Sequence, residues 1–325
     1  MNRYLIAIDL DGTLLSDKKK ISFANKRYLR KLQKEGHIVM LASGRPSRAL
    51  LFFQKQIGLK GPIICYNGAY CFHPYDENFT PTAFNFPVGL VKEIYKDIGP
   101  DIYNNVMCET DTEIWLIKED DDLNSFFWQE NMDITYGDLD ETLNKDPWTM
   151  IIQLKDRDHD DVVINAVKKH EGYSLRFWWS RPYAEIYHSE VSKASCIKKV
   201  ADYYNIPISN CIAIGDADND IEMVKSVGFS IAMINGNKNI KKLANIISKR
   251  DNNHSGVKQA LKVAIKYLNN KLFFRIFSSS SLSFLSSFFF SSLSFLSSSL
   301  SFFSFSLLSS LFFRSINLCL LLLIL

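Results

Sequence analysis

Short runs of mostly apolar residues alternate with amphipathic segments in the first part of the chain. The runs are too short for helices and lack polar alternation, so they predict strands buried on both faces of a parallel sheet. Apolar residues recur at helical spacing in the two segments between the runs. The order strand, helix, strand, helix, strand predicts a doubly wound α/β fold. The expected strands are 4–8, 37–42 and 62–65, and the expected helices are 22–34 and 46–57.

The pattern changes between residues 83 and 188. Strands and helices no longer alternate regularly there, and this segment holds all five tryptophans of the chain. We interpret the tryptophans as core and sheet-face residues rather than as a stacking site. An α+β domain built on an antiparallel sheet accounts for this segment. Its expected strands are 84–86, 105–108, 113–117, 149–154, 174–177 and 184–187, and its expected helices are 90–98, 121–131 and 158–170.

The first pattern resumes at Ser192. A helix is expected to begin there with Lys193 in its first turn, and the apolar run at 211–215 predicts another buried strand. Because these elements complete the first sheet, the α+β segment is an insertion. We predict a Rossmann-like parallel-sheet core interrupted by one inserted domain, with hinges at both junctions. The core is expected to comprise residues 1–82 and 189–270, and the inserted domain residues 83–188.

Residues 271–325 consist almost wholly of Ser, Phe and Leu. They show neither a helical nor a strand period, and we place this tail outside the fold. One interpretation is a C-terminal membrane anchor, but the apolar run at 318–325 is far shorter than the roughly 20 residues that a spanning helix needs. We favour translation of pyrimidine-rich non-coding DNA, because such DNA encodes these three residue types.

The charge of the chain resides in the tail. The 325 residues include 38 basic and 35 acidic groups, whereas residues 1–270 carry 35 of each. A neutral body gives no electrostatic case for binding nucleic acid. The cysteines are scattered without a CxxC pair, and the first strand begins too early to leave room for a signal peptide. We expect a cytoplasmic protein without a nucleic-acid partner and, unless the tail is an anchor, without a membrane partner.

Acidic residues directly follow two of the expected strands. Asp9 and Asp11 come after the first strand, and Asp216 and Asp220 come after the strand at 211–215. The carboxyl ends of parallel strands meet at one edge of the sheet, where α/β proteins bind ligands. Neighbouring carboxylates repel each other, and a bound divalent cation offsets that repulsion. For either pair alone, an acidic strand-to-turn boundary without a ligand stays an alternative.

The same edge is expected to receive a hydroxyl group and two cationic side chains. Ser43 and Arg45 follow the second strand, and Lys193 begins a helix. Acids alone would bind only metal, so the lysine and the hydroxyl indicate that the bound object is itself anionic. A phosphate that bridges a Mg²⁺ ion satisfies both requirements. The acids at 216–220 do not form a calcium loop, because Ile221 stands where such a loop needs Gly.

Four motifs stand in order along the chain: Asp9-Leu-Asp11-Gly-Thr-Leu-Leu, Ala-Ser43-Gly-Arg45-Pro, Val191-Ser-Lys193-Ala and Ile214-Gly-Asp216-Ala-Asp218-Asn219-Asp220-Ile-Glu-Met. Together they resemble the haloacid dehalogenase-like phosphatases, and within these the Cof-like group with a type IIB cap. The resemblance covers about residues 3–270, with a cap-sized insertion between the second and third motifs. One departure is Ile234-Asn235-Gly236, where the family usually has Gly-Asn-Ala.

This resemblance implies catalytic roles for Asp9, Asp11 and Lys193. Asp9 would attack phosphorus and form an aspartyl phosphate. Asp11 would give a proton to the leaving oxygen and later take one from the hydrolytic water. Lys193 would neutralise the charge of nucleophile and phosphate, so that a carboxylate can approach an anion.

The resemblance also implies phosphate or substrate contacts for Ser43, Gly44, Arg45 and Asn219, in addition to Lys193. Ser43 would hydrogen-bond the phosphoryl oxygens, and Arg45 would contact the substrate or support a residue that does. The implied Mg²⁺ site consists of Asp9, the backbone carbonyl of Asp11, Asp216 and Asp220, the last orienting Lys193 or a metal-bound water.

The sequence thus predicts a Mg²⁺-dependent phosphatase that hydrolyses small phosphomonoesters, either sugar phosphates or phosphorylated cofactors. A sugar phosphomutase of the same superfamily is an alternative, because related caps occur in sugar phosphomutases, and it would share Asp9. A non-catalytic phosphate-ligand binder would need a lost nucleophile or lysine, and Asp9 and Lys193 are both present. The resemblance implies that the inserted domain closes over the site as a lid and sets specificity.

Overall fold

The computed structural model describes residues 3–127, 132–178 and 181–270. The described residues up to 265 belong to one compact unit, and residues 266–270 belong to a second. The Ser-, Phe- and Leu-rich tail lies outside the described residues. So do Trp128, Trp179 and the end of the helix expected at 121–131.

The strands of the described residues are numbered along the chain. They are β1 Leu5–Ile8, β2 Ile38–Ala42, β3 Ile63–Cys65, β4 Tyr70–Phe72, β5 Thr82–Ala83, β6 Tyr103–Glu109, β7 Glu113–Leu116, β8 Asp133–Tyr136, β9 Thr149–Leu154, β10 Tyr173–Phe177, β11 Tyr183–His188, β12 Cys211–Gly215, β13 Phe229–Ala232 and β14 Ile246–Ile247.

The helices are numbered in the same way. They are α1 Phe23–Lys34, α2 Ser47–Ile57, α3 Val88–Ile98, α4 Asp121–Phe127, α5 Leu139–Thr142, α6 Asp160–Lys168, α7 Lys193–Tyr203, α8 Ile221–Ser226, α9 Lys238–Leu243 and α10, residues 256–270.

The first sheet has the order β14-β13-β12-β1-β2-β3-β4-β5. Its first six strands run parallel, and β4 and β5 add an antiparallel edge. All four residues of the central strand β1 are fully buried, as expected for a strand covered on both faces. Apolar residues of β1, β2 and β12 pack against α7 and α8 on one of these faces. The predicted Rossmann-like α/β core is confirmed.

The second sheet has the order β10-β11-β9-β6-β7-β8. Its pairs are antiparallel except for β7 and β8, which run parallel. One face carries Val106, Met150 and Ile186 and packs against α3 and α6. The opposite face carries Met107 and Ile151 and packs in part against α4.

Helix capping fixes where two important helices begin. The Ser22 side chain accepts a hydrogen bond from the backbone N–H of Asn25 at the start of α1. The Ser192 side chain accepts one from the N–H of Ala194, which makes Lys193 the first residue of α7. Each cap satisfies a backbone donor that the helix itself leaves unpaired. Both helices therefore start where the sequence predicted.

Three elements differ from the sequence prediction. The strand expected at 84–86 is wrong, because the N–H of Phe84 binds Ala69 O while that of Phe86 binds Pro147 O, so no single ladder continues. The chain instead forms β5 two residues earlier, in the first sheet. Strand β8 and the one-turn helix α5 were not predicted. The proposed boundaries of the core and the inserted domain stay predictions.

Within the described ranges, no helix is both long enough and apolar enough to cross a bilayer.

Candidate active site

Neighbouring strands of the first sheet bring the first two acids together. Strands β1 and β12 pair in parallel with Ile8 beside Ile214, and the N–H of Asp9 donates to Ile214 O over 3.0 Å. Asp9 follows β1 directly, and Asp216 follows β12 directly. The carboxyl ends of two hydrogen-bonded strands thus deliver both side chains to one edge of the sheet.

Asp9, Asp216 and Asp220 form an acidic cluster. Each offers one carboxylate oxygen, and these atoms all lie within 4.8 Å of one another. Asp9 and Asp220 are buried, and Asp216 is half-buried. Three converging carboxylates suit a hard divalent cation such as Mg²⁺, because they supply oxygen ligands and their mutual repulsion falls when it binds. The residues present therefore fit the predicted metal.

Lys193 lies inside this cluster. Its Nζ contacts Asp9 Oδ1 at 2.8 Å and Asp220 Oδ1 at 2.6 Å, and its side chain is almost fully buried. The other oxygen of Asp220, Oδ2, accepts the backbone N–H groups of Asp216 and Ala217. Asp220 is therefore fixed by its own loop and holds the ammonium against Asp9. This is one of the two roles that the sequence analysis left open for Asp220.

Burial and mutual repulsion shift the acid–base equilibria of the cluster. Burial, followed by the charge of Asp220, raises the pKa of Asp9 well above its usual range. The same causes raise the pKa of Asp216 to about 7. Burial alone would lower the pKa of Lys193, but the Asp220 and Asp9 carboxylates outweigh it and raise that pKa. The lysine is therefore a permanent cation, whereas the acids gain from a bound metal.

The side chain of Asp11 lies outside the acidic cluster. It accepts two hydrogen bonds from Arg45, from Nε at 2.5 Å and Nη2 at 2.8 Å, and one from Lys19 at 2.6 Å. Burial would raise the pKa of Asp11, but the hydrogen bonds from Arg45 and Lys19 outweigh it and lower that pKa. The structure thus gives Arg45 a direct partner that the sequence did not specify.

The turn after Asp11 packs tightly on Asp216. Gly12 has φ +73°, and a Cβ atom there would lie 2.2 Å from Asp216 Oδ2. The hydroxyl of Thr13 donates to Asp216 Oδ1 over 2.7 Å. A glycine is required at position 12 by both the left-handed backbone and the close approach. Thr13 is a site residue that sequence reasoning missed, although it belongs to the first motif.

A second set of polar contacts joins the remaining predicted residues. The side chain of Asn67 lies over Gly44, since a Cβ atom at Gly44 would be 2.8 Å from Asn67 Nδ2. Asn219 donates to Asn67 Oδ1 over 2.9 Å. Ser43 Oγ accepts the backbone N–H of Arg45 at 3.2 Å, which stabilises the loop between β2 and α2. Asn67, which is not among the predicted site residues, connects two loops of the site.

Residues of the second sheet also reach this region. Glu109 of β6 forms an ion pair with Arg48 of α2 at 2.8 Å. Glu185 of β11 accepts a hydrogen bond of 3.4 Å from Asn67 Nδ2. Both glutamates are buried. Sequence analysis missed them, although a charged residue within an apolar strand is the signal that could have identified them.

Comparison with known proteins agrees with this geometry. The family described as haloacid dehalogenase-like hydrolase matches residues 6–261. The chain is also 35% identical over 263 residues to the 5-amino-6-(5-phospho-D-ribitylamino)uracil phosphatase YitU of Bacillus subtilis, covering 80% of this chain and 96% of that protein.

The chain belongs to the haloacid dehalogenase-like hydrolases.

Solved structures share the fold of this chain. A Thermotoga maritima protein is 25% identical, with a TM-score of 0.70 over 80% of this chain and 97% of its own. A sugar phosphatase described as subclass IIB is 18% identical, with a TM-score of 0.66 over 80% of this chain and 98% of its own, and shows the fold. The predicted membership of the Cof-like group with a type IIB cap is confirmed, and so is the prediction of a phosphatase-type hydrolase.

Proposed function

We propose that this haloacid dehalogenase-like hydrolase is a Mg²⁺-dependent phosphatase that works through an aspartyl-phosphate intermediate. The observation that carries the proposal is the position of Lys193, whose buried ammonium bridges Asp9 and Asp220 beside Asp216. A carboxylate nucleophile must approach an anionic phosphate, and a fixed buried cation reduces that repulsion. Mg²⁺, when bound by the acidic cluster, would further lower the negative charge at the phosphoryl group.

Asp9 is the proposed nucleophile. Its Oδ1 is held by Lys193, so its orientation is fixed before substrate arrives. In the first step an Asp9 oxygen bonds to phosphorus while the bond from phosphorus to the leaving oxygen breaks. In the second step water attacks the same phosphorus and releases Asp9 and inorganic phosphate.

Asp11 is the proposed general acid and base. In the structure Arg45 and Lys19 hold it as a carboxylate with a lowered pKa. It can carry a proton only after these hydrogen bonds loosen. We propose that phosphate binding draws Arg45 from Asp11, so that the protonated Asp11 meets the leaving oxygen. Ser43, Gly44 and Asn219 would contact the phosphate from the loops around Asn67.

We propose 5-amino-6-(5-phospho-D-ribitylamino)uracil as the first substrate to test, because the 35% identical relative is named for this activity and matches over almost its whole length. The wider proposal, hydrolysis of a small phosphomonoester, does not depend on this choice.

The deciding experiment is phosphate release by wild type and by Asp9→Asn with this substrate. We expect Asp9→Asn to lose about 10⁴-fold or more in kcat, since no nucleophile remains. Exposed Asp202 of α7 gives the matched control, and Asp202→Asn is expected to keep wild-type activity. Chelation of divalent ions should abolish turnover and added Mg²⁺ should restore it. Wild-type turnover by Asp9→Asn would contradict the proposal.

A further inference from the structure

The face of the second sheet that meets the active-site loops can be read from its register. Glu109 lies directly opposite Thr149, and Glu185 lies directly opposite Ile151. Directly opposed residues of an antiparallel pair point to the same side, as do residues two apart on one strand. Glu109, Thr149, Ile151 and Glu185 therefore share one face. Glu109 contacts Arg48 and Glu185 contacts Asn67, so this face of the second sheet lies over the candidate site.

Glu185 connects this face of the second sheet to the catalytic loops through a short series of polar contacts. Asn219, adjacent in sequence to Asp220, donates to Asn67 over 2.9 Å, and Asn67 donates to Glu185 Oε1 over 3.4 Å. Asp220 in turn holds Lys193. The carboxylate of Glu185 is therefore two side chains away from the loop that fixes the lysine.

The two oxygens of Glu185 are used differently. Arg176 contacts Oε2 at 3.2 Å, and Trp178 Nε1 donates to the same oxygen over 3.4 Å. The guanidinium of Arg176 also stacks on the ring of Tyr187, with its carbon 4.4 Å from the ring centre. These groups fix the carboxylate and balance its charge. Oε1, which accepts one long hydrogen bond, keeps capacity for a further donor because a carboxylate oxygen has two acceptor positions.

A second polar group on the same face points to a ligand. The hydroxyl of Thr149 is buried, and its Oγ1 has no hydrogen-bond partner among the described residues. An unsatisfied buried hydroxyl costs free energy, and such groups are usually paired in the functional state. A ligand with several hydroxyl groups would supply donors to Glu185 and a partner to Thr149.

We propose that Glu185 is a specificity-determining residue that accepts a hydroxyl group of a polyhydroxylated leaving group. The inference rests on the proposed phosphatase function and narrows its substrate class to phosphate esters of polyols.

Two substrates of equal carbon length test the inference, ribitol 5-phosphate and n-pentyl phosphate. Only the first carries hydroxyl groups, so wild type should have the higher kcat/KM for ribitol 5-phosphate. In Glu185→Gln we expect the ratio of the two kcat/KM values to fall about tenfold, the effect of weakening one hydrogen bond to a charged group. The loss should appear mainly in the KM for ribitol 5-phosphate.

The controls separate this role from a structural one. Glu171→Gln changes an exposed glutamate of the inserted segment and should leave the ratio unchanged. Glu185→Asp keeps the charge but shortens the reach, and it should lower the ratio even if Glu185→Gln does not fold. Equal loss of both substrates in the Glu185 variants, or no preference in wild type, would overturn the inference while the phosphatase proposal stands. Wild type that hydrolyses neither ester but releases phosphate from another phosphomonoester would likewise overturn the inference alone.

Discussion

The net charge of the acidic cluster indicates a divalent cation as its ligand. Asp9, Asp216 and Asp220 contribute three negative charges when ionised, and Lys193 contributes one positive charge. One divalent cation would balance the net negative charge that remains. Without that cation, burial and then the charge of Asp220 favour the protonated acids and raise the pKa values of Asp9 and Asp216. The site therefore prefers a metal or a proton, and these two should compete.

Gly12 gives a prediction at the scale of one residue. We expect Gly12→Ala to weaken Mg²⁺ binding by at least about tenfold, because its Cβ would meet the Asp216 carboxylate at 2.2 Å. Gly36→Ala is the matched control, since Gly36 also has positive φ but nothing lies within 4 Å of its Cβ position. Both variants should lose about 1 kcal/mol of stability from backbone strain. Calorimetric titration with Mg²⁺ distinguishes them, and equal affinity in both would contradict the prediction.

The sequence could identify residues whose position follows from a strand end or a helix start. Asp9, Asp216 and Lys193 are of this kind, and the structure brings all three together. It could not identify Asn67 or Glu185 as neighbours, because they lie 118 residues apart and meet only through the placement of the second sheet. Periodicity locates elements along the chain but does not say which faces of different sheets meet.

The same limit applies to whole elements. Long buried strands were predicted closely, and the expected strand at 149–154 coincides with β9. Strand β8 was missed because three of its four residues are exposed, so its sequence shows no apolar pattern. Helix α5 has only four residues, too few for helical periodicity to appear. Elements that are held by neighbouring structure rather than by their own hydrophobic face thus escape sequence analysis.

The ion pair between α2 and β6 gives a prediction at the scale of elements. Glu109 is almost fully buried, and burial raises its pKa although Arg48 opposes this shift. Arg48→Met would leave that carboxylate buried without its cation. We expect a loss of about 3 kcal/mol in the free energy of unfolding, and a smaller loss in the double variant Arg48→Met/Glu109→Gln. Urea unfolding measures both.

A surface pair provides the comparison. Lys96 and Asp140 are paired at 2.7 Å, but both side chains are largely exposed. Lys96→Met should therefore cost less than about 1 kcal/mol. If Arg48→Met loses no more free energy of unfolding than Lys96→Met, the buried ion pair between α2 and β6 stabilises the protein no more than an exposed pair does.

At the scale of the whole molecule, the acidic cluster makes stability depend on pH and metal together. The unfolded chain loses the Asp216 proton near pH 3.8, the usual pKa of an aspartic acid, whereas the folded chain keeps it until about pH 7. The folded state therefore binds more protons in this interval, and its stability from this group falls as pH rises through it. The raised pKa of Asp9 acts in the same direction.

Asp216→Asn isolates this contribution. In the presence of a chelator, we expect this variant to be more stable than wild type at about pH 8, by on the order of 2–4 kcal/mol, and to match wild type near pH 4. Added Mg²⁺ should reverse the order at about pH 8, because it binds folded wild type and stabilises it by mass action. Thermal unfolding across this pH range, with Asp202→Asn as the control, measures each difference. If wild type and Asp216→Asn respond alike to pH and to Mg²⁺, the buried acids do not carry the charge that the proposed mechanism requires.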